Sequence, residues 1–170
     1  MTVLLYPHLL VFIDQELPMK HLLLPIFLLS TSLSAMTIYP TIAKATKGSI
    51  SDQDLSVLSI EDQQEVQNEW DNYLEISASN NKSVVKFKFN VPQEAQTCTN
   101  AKFHINSMGE PNSNEKWEIS IRNYQEQQFR TLTQNGDNDW TWEKQSVEIG
   151  EPTPYINTNN KMLIKIKCKK

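Results

Sequence analysis

Between Lys116 and Leu132 the chain reads K-W-E-I-S-I-R-N-Y-Q-E-Q-Q-F-R-T-L, with Trp117, Ile119 and Ile121 separated by Glu118, Ser120 and Arg122. A period of two marks a strand with one buried and one wet face. The polar run Gln125–Gln128 has room to turn, so Phe129–Leu132 is predicted to return as the partner strand of a β-hairpin.

The same alternation recurs along the chain. Leu74, Ile76 and Ala78 share one face of Tyr73–Ala78, and the cluster Ser79-Asn80-Asn81-Lys82 predicts a turn. Ser83–Val91 places Val85, Phe87, Phe89 and Val91 inward and Lys86 and Lys88 outward, and Pro92 ends it by denying the ladder a donor. Ala101, Phe103 and Ile105 share a face, Met108–Asn114 reads as a loop, and Asn135-Gly136 as a turn. A strand follows from about Trp140 to Ile149. There Trp140 and Trp142 have the opposite parity to Val147 and Ile149, so either a bulge intervenes or one pair faces solvent. Glu151–Asn160 is a Pro- and Asn-rich loop, and Met162, Ile164, Ile166 and Cys168 share the inner face of a closing strand. Thr46–Ser51 fits a first short strand. Ser51–Asp71 leaves two readings open: a short helix starting at the capping box Ser59-Ile60-Glu61-Asp62, or an irregular loop packed by Leu55, Leu58 and Trp70. Short strands at regular spacing, separated by turns, predict an all-β antiparallel β-sandwich.

The N-terminus changes the picture of where this sandwich works. From Met19 the chain reads M-K-H-L-L-L-P-I-F-L-L-S-T-S-L-S-A: a basic start, an apolar core and small residues, the layout of a signal peptide. Cleavage fits after Ser32-Leu33-Ser34 and, better, after Ala43-Lys44-Ala45. Residues 1–18 carry Asp14 and Glu16 between apolar runs, wrong for the start of a signal, and are read as an upstream mis-start. The acidic pair also divides the apolar stretch into pieces shorter than the ~20 residues a membrane span needs. The expected organisation is therefore 1–18 mis-start, 19–45 signal peptide and 46–170 a single domain, secreted or periplasmic, with no span in the mature chain. Both cysteines, Cys98 and Cys168, survive processing into an oxidising space, where a pair is expected as one disulfide. The loop it would close, 70 residue steps, corresponds to on the order of 4 kcal/mol by chain entropy.

Charge narrows the partners. The chain carries a formal net charge of −4; removing residues 1–45 takes Lys20, Lys44, Asp14 and Glu16 and leaves 14 basic and 18 acidic residues. No basic excess is present to displace phosphate counterions, which argues against nucleic acid.

The order of several short signals resembles a known family. Gly48-Ser49-Ile50-Ser51, Asn72-Tyr73-Leu74-Glu75-Ile76, Cys98-Thr99, Ile121-Arg122-Asn123-Tyr124, Phe129-Arg130-Thr131-Leu132 and Leu163-Ile164-Lys165-Ile166-Lys167-Cys168 follow one another as in galactose-binding-like jelly-roll domains. Such domains occur at the ends of secreted bacterial hydrolases and as stand-alone proteins. The resemblance, over Gly48 to Lys170, implies a non-catalytic jelly roll that binds sugar or a cell surface. The acidic-glycine turn usual before the strand matching Tyr73–Ile76 is replaced by the polar run Glu61–Asp71, and Trp140-Thr141-Trp142 has no counterpart, so no binding residue is carried over.

Catalysis finds little support in the residues themselves. His104 is the histidine left after processing and takes the outward parity of its strand, with no nucleophile to serve. Paired carboxylates have no local signature, and the protein is read as not an enzyme. No cofactor is implied. Asn135-Gly136-Asp137-Asn138-Asp139 offers the hard oxygen ligands that calcium favours, as do Glu61, Asp62 and Asp71, but the first lacks the EF-hand repeat and reads as a polar turn. Aromatic residues near strand ends, Trp140, Trp142, Tyr124 and Tyr155, are the candidate ligand-binding positions, since an exposed ring stacks on the apolar face of a sugar; burial in the core is the alternative for each. The expected partner is a glycan on a cell wall, an exopolysaccharide or a host surface, with a protein-interaction module as the rival. A glycan binder should expose aromatics among polar neighbours, a protein binder a larger and flatter apolar patch.

Overall fold

The computed structural model describes residues 2–14, 36–51, 55, 58, 74–80, 82–109, 116–135 and 143–169. Ten strands run through them: β1 (Thr2–Asp14), β2 (Pro40–Lys47), β3 (Ser49–Ile50), β4 (Leu74–Ser77), β5 (Lys82–Asn90), β6 (Asn100–Gly109), β7 (Lys116–Asn123), β8 (Gln128–Asn135), β9 (Glu143–Gly150) and β10 (Lys161–Lys169). Short 3₁₀ turns at Gln93–Thr97 and Thr153–Tyr155 join β5 to β6 and β9 to β10.

Alternation decides which face each strand buries. Val85, Phe87 and Phe89 of β5, Trp117, Ile119 and Ile121 of β7, and Met162, Ile164 and Ile166 of β10 are all buried. They belong to sheet B, ordered β2-β5-β10-β7-β8; sheet A is ordered β3-β4-β1-β6-β9. Every described pairing is antiparallel. Leu74 and Ile76 of β4 and Ala101, Phe103 and Ile105 of β6 meet the sheet B residues in one core, as expected of an all-β sandwich. Burying a side chain such as Phe87 contributes ~1.5–3 kcal/mol. A one-residue slip of β5 would turn its whole inner set to water, so the register is firmly held.

Gly48 carries the chain from sheet B to sheet A. Its φ is +73°, and a Cβ there would stand 2.1 Å from the Ser77 carbonyl oxygen, so both backbone and space require glycine. In the Ser51–Asp71 stretch, Leu58 is buried and Leu55 packs against the core; Trp70 lies outside the described residues.

Thr2–Asp14, upstream of the expected signal, forms β1 and lies between β4 and β6, with Leu4 opposite Glu75 on one side and Met108 on the other. Most of the expected signal peptide, 19–35, lies outside the described residues, and β2 runs through the expected cleavage point after Ala45. Pairing with β1 also explains why β6 continues to Gly109, through residues expected to be loop: Val3 stands opposite Gly109. On β9, Ile149 is buried and Val147 half-buried, both on the inner face.

The expected Cys98–Cys168 disulfide is corrected here. Both residues are buried thiols. Cys98 follows the 3₁₀ turn that leaves β5 beyond Asn90, and Asn90 is opposite Lys161, the first residue of β10. Cys168 is near the other end of β10, opposite Ser83 and Trp117. The seven steps of extended chain from Lys161 to Cys168 span roughly 23 Å, whereas a disulfide needs Cα atoms ~4.4–6.8 Å apart. Parity along the strands carries no record of which pole of the sandwich a residue occupies.

Candidate functional site

The outer face of sheet B gathers the cations. Lys44 of β2 is opposite Lys86 of β5, Lys86 opposite Lys165 of β10, Lys165 opposite Ser120 of β7, and Ser120 opposite Thr131 of β8. The neighbouring row alternates in character: Ile42, Lys88, Leu163, then Arg122 one step past the Ile164–Ile121 pair, then Phe129. Among the described outward positions of these strands, Glu118 is the one carboxylate, and Gln134 Nε2 donates to it at 3.3 Å. Ile42, half exposed, is the large apolar side chain standing most clear of the surface among the described residues.

Two cations stand over the Phe129 ring. The Lys165 Nζ stands 4.0 Å from its ring centre and the Arg122 guanidinium carbon 5.4 Å, within reach of the ring's negative face. Ser120 has outward parity and yet is 1% exposed; it stands opposite Lys165, and its hydroxyl donates to the Lys165 carbonyl at 3.4 Å. Burial there, more than any neighbour, lowers the Lys165 pKa. Glu118 opposes the shift, while Lys167, Lys86 and Arg122 add to it.

Next to this pair the β7–β8 turn is built by side chains. Asn123 Oδ1 accepts hydrogen bonds from the backbone N–H of Gln125 and of Glu126, each 3.0 Å, and Arg122 Nη2 donates to Gln127 Oε1 at 3.0 Å. Tyr124 N–H donates to the Pro154 carbonyl at 2.8 Å, so two of the candidate tyrosines, Tyr124 and Tyr155, come to one pole. They differ in role. Tyr155 is 5% exposed and its hydroxyl accepts from Arg130 Nη1 at 2.6 Å, which leaves its ring no open face. Tyr124 is half-buried beside Arg122; burial raises its phenol pKa, against the pull of Arg122 and of a hydrogen bond with Asn157.

Trp140 and Trp142 lie outside the described residues, as do Glu61, Asp62, Asp71 and the loop 136–139. Among the described residues no group of three His, Cys, Asp or Glu side chains is placed to hold a metal ion. His104 is half-buried on β6, opposite Leu10 of β1 and Ser146 of β9. Phe129 and the lysine row were not singled out by sequence reasoning. The outward parity of Lys86 and Lys88 was visible, but their alignment with Lys44 and Lys165 needs the register.

The family described as the N-terminal glycosyl-hydrolase-114-associated domain matches residues 58–170. The match covers β4 to β10 and stops short of β1, β2 and β3. No curated protein and no solved structure matches the chain.

Proposed function

Because the chain belongs to the family of N-terminal glycosyl-hydrolase-114-associated domains, we propose that it is an exported, non-catalytic accessory module that binds carbohydrate. In this reading the sandwich is of the galactose-binding-like jelly-roll type, and the run from Met19 directs it across a membrane before removal. The observation that supports binding most directly is the Phe129 ring, half-buried at the end of a sheet face whose other outward groups are chiefly polar or cationic. When Lys165 swings off the ring, a sugar's C–H face takes its place there, and Arg122, Tyr124 and Gln127 offer hydrogen bonds. Protein docking finds less support, since the exposed large apolar side chain among the described residues is Ile42 and not a broad patch.

A glycan array probed with the full chain tests the reading. Retention of a defined set of glycans is expected, weakened on the order of tenfold by Phe129→Ala, within the ~1–3 kcal/mol that stacking contacts of aromatic rings carry. Trp140→Ala and Trp142→Ala should likewise weaken binding with little loss of stability. An array without retained glycans would end the proposal. Unfolding of the Trp variants by ~3–5 kcal/mol would assign those rings to a core.

A further inference from the structure

We infer that the outer face of sheet B takes an acidic polysaccharide, laid across the strands along the Lys44–Lys86–Lys165 row; this rests on the carbohydrate reading above. Cleavage before Ala35 keeps the whole row, and cleavage after Ala45 shortens it to Lys86 and Lys165. Four of the five strands present Lys or Arg on this face, against the single carboxylate of Glu118 among the described outward positions. The chain as a whole is acidic, at −4. The cations are therefore concentrated here and not a reflection of composition.

Arrangement carries the argument further than number. Like charges directly opposite one another on neighbouring strands destabilise a sheet, and here Lys44, Lys86 and Lys165 stand opposite one another in succession. A polyanion would remove that repulsion. Neighbouring strands lie ~4.8 Å apart, so the backbone positions of the three lysines recur at about the length of one sugar residue, with the Lys165 ammonium leaning on across β7 toward Phe129. The adjacent row alternates apolar and cationic groups, Ile42, Lys88, Leu163, Arg122 and Phe129. A polymer of uronic acids has that alternation: an apolar C–H face on each ring and a carboxylate at its edge. Duplex nucleic acid is matched by an element that enters a groove, and single strands by several stacking rings. Among the described residues this face has one half-buried ring.

Polygalacturonate and its fully methyl-esterified form share one backbone and differ in charge. Both are offered to the full chain, with duplex DNA and phosphatidylserine vesicles at the same salt. The acid form is expected to bind, with affinity falling about tenfold or more as salt rises from ~50 to ~200 mM. The ester should bind at least about tenfold more weakly. The double variant Lys86→Gln/Lys165→Gln should lose about tenfold for the acid form, whereas Lys102→Gln, whose partner is Glu148 on sheet A, should match the parent. A thermal melt confirms that the double variant folds. Equal binding of acid and ester would overturn the proposal and leave the carbohydrate reading standing. Retention of neither, nor of any arrayed glycan, would overturn both. DNA or vesicles held as tightly as the acid form would make the face a general polyanion surface and overturn the proposal.

Discussion

The ammonium of Lys165 reaches over β7 to stand 4.0 Å from the centre of the Phe129 ring, two strands away. Ser120 lies on the strand between them and is sealed from water although its parity points outward. Phe129→Ala should remove both cation contacts, at a cost of about 1–2 kcal/mol. Urea denaturation checks this, and Phe129→Leu should recover the apolar part alone. A midpoint unchanged in both variants would contradict the arrangement.

Lys86→Gln has the opposite sign. Relieving the repulsion from Lys44 and Lys165 should stabilise the fold by about 0.2–1 kcal/mol, and the gain should shrink in high salt as screening takes over. A stabilising variant that also binds less polyanion separates the two roles of the row. Loss of stability would mean that the lysine stem packs more than its charge repels.

Lys165 also predicts a pH dependence. Its pKa is lowered from 10.5, by burial first and then by Lys167, Lys86 and Arg122 against Glu118. The unfolded chain then binds more protons than the folded one between the lowered folded value and 10.5. Over that window this group makes stability rise with pH, because the cost of holding a charged ammonium there is relieved. Below the window the cost is fully present. Comparison of the parent with Lys165→Met in that range should show the contribution disappear; parallel pH profiles would contradict it.

Cys98 and Cys168 should both titrate as thiols in the unfolded, unreduced protein. In the folded protein both should resist reagent, since each is buried. Mobility on a non-reducing gel should equal mobility on a reducing one. An intramolecular crosslink would require a chain path other than the β5–β10–β7 register.

A chain beginning at Thr46 lacks β1 and nearly all of β2. Amides of β6 between Asn100 and His104, which face β1 residues Leu10–Asp14 in the full chain, should exchange faster in the shorter one. Hydrogen exchange on both chains, with N-terminal sequencing of exported material, decides the matter. Equal protection would mean that β4 and β6 close directly on one another. Exported material is expected to begin near Thr46 or Ala35.

The fold class was legible because period-2 alternation is a local property. Val85, Phe87 and Phe89, or Ile164 and Ile166, are assigned to a buried face by their spacing alone. The turn at Gln125–Gln128 followed in the same way. The Cys98–Cys168 expectation failed because compartment and parity say nothing of distance along a sandwich, and only strand register places the two sulfurs at opposite poles. The net charge hides a local arrangement for a related reason. Seven carboxylates and no Lys or Arg fall between Asp52 and Asp71, while the lysines of sheet B are spread over four of its strands. Summed along the chain, those charges cancel. Pairing β2 with β5, β5 with β10 and β10 with β7 brings positions 44, 86 and 165 into one row beside Ser120. Hydrophobic pattern determined which side of each strand is wet; long-range hydrogen bonding between strands, which depends on packing of the whole core, decided which wet residues stand next to one another.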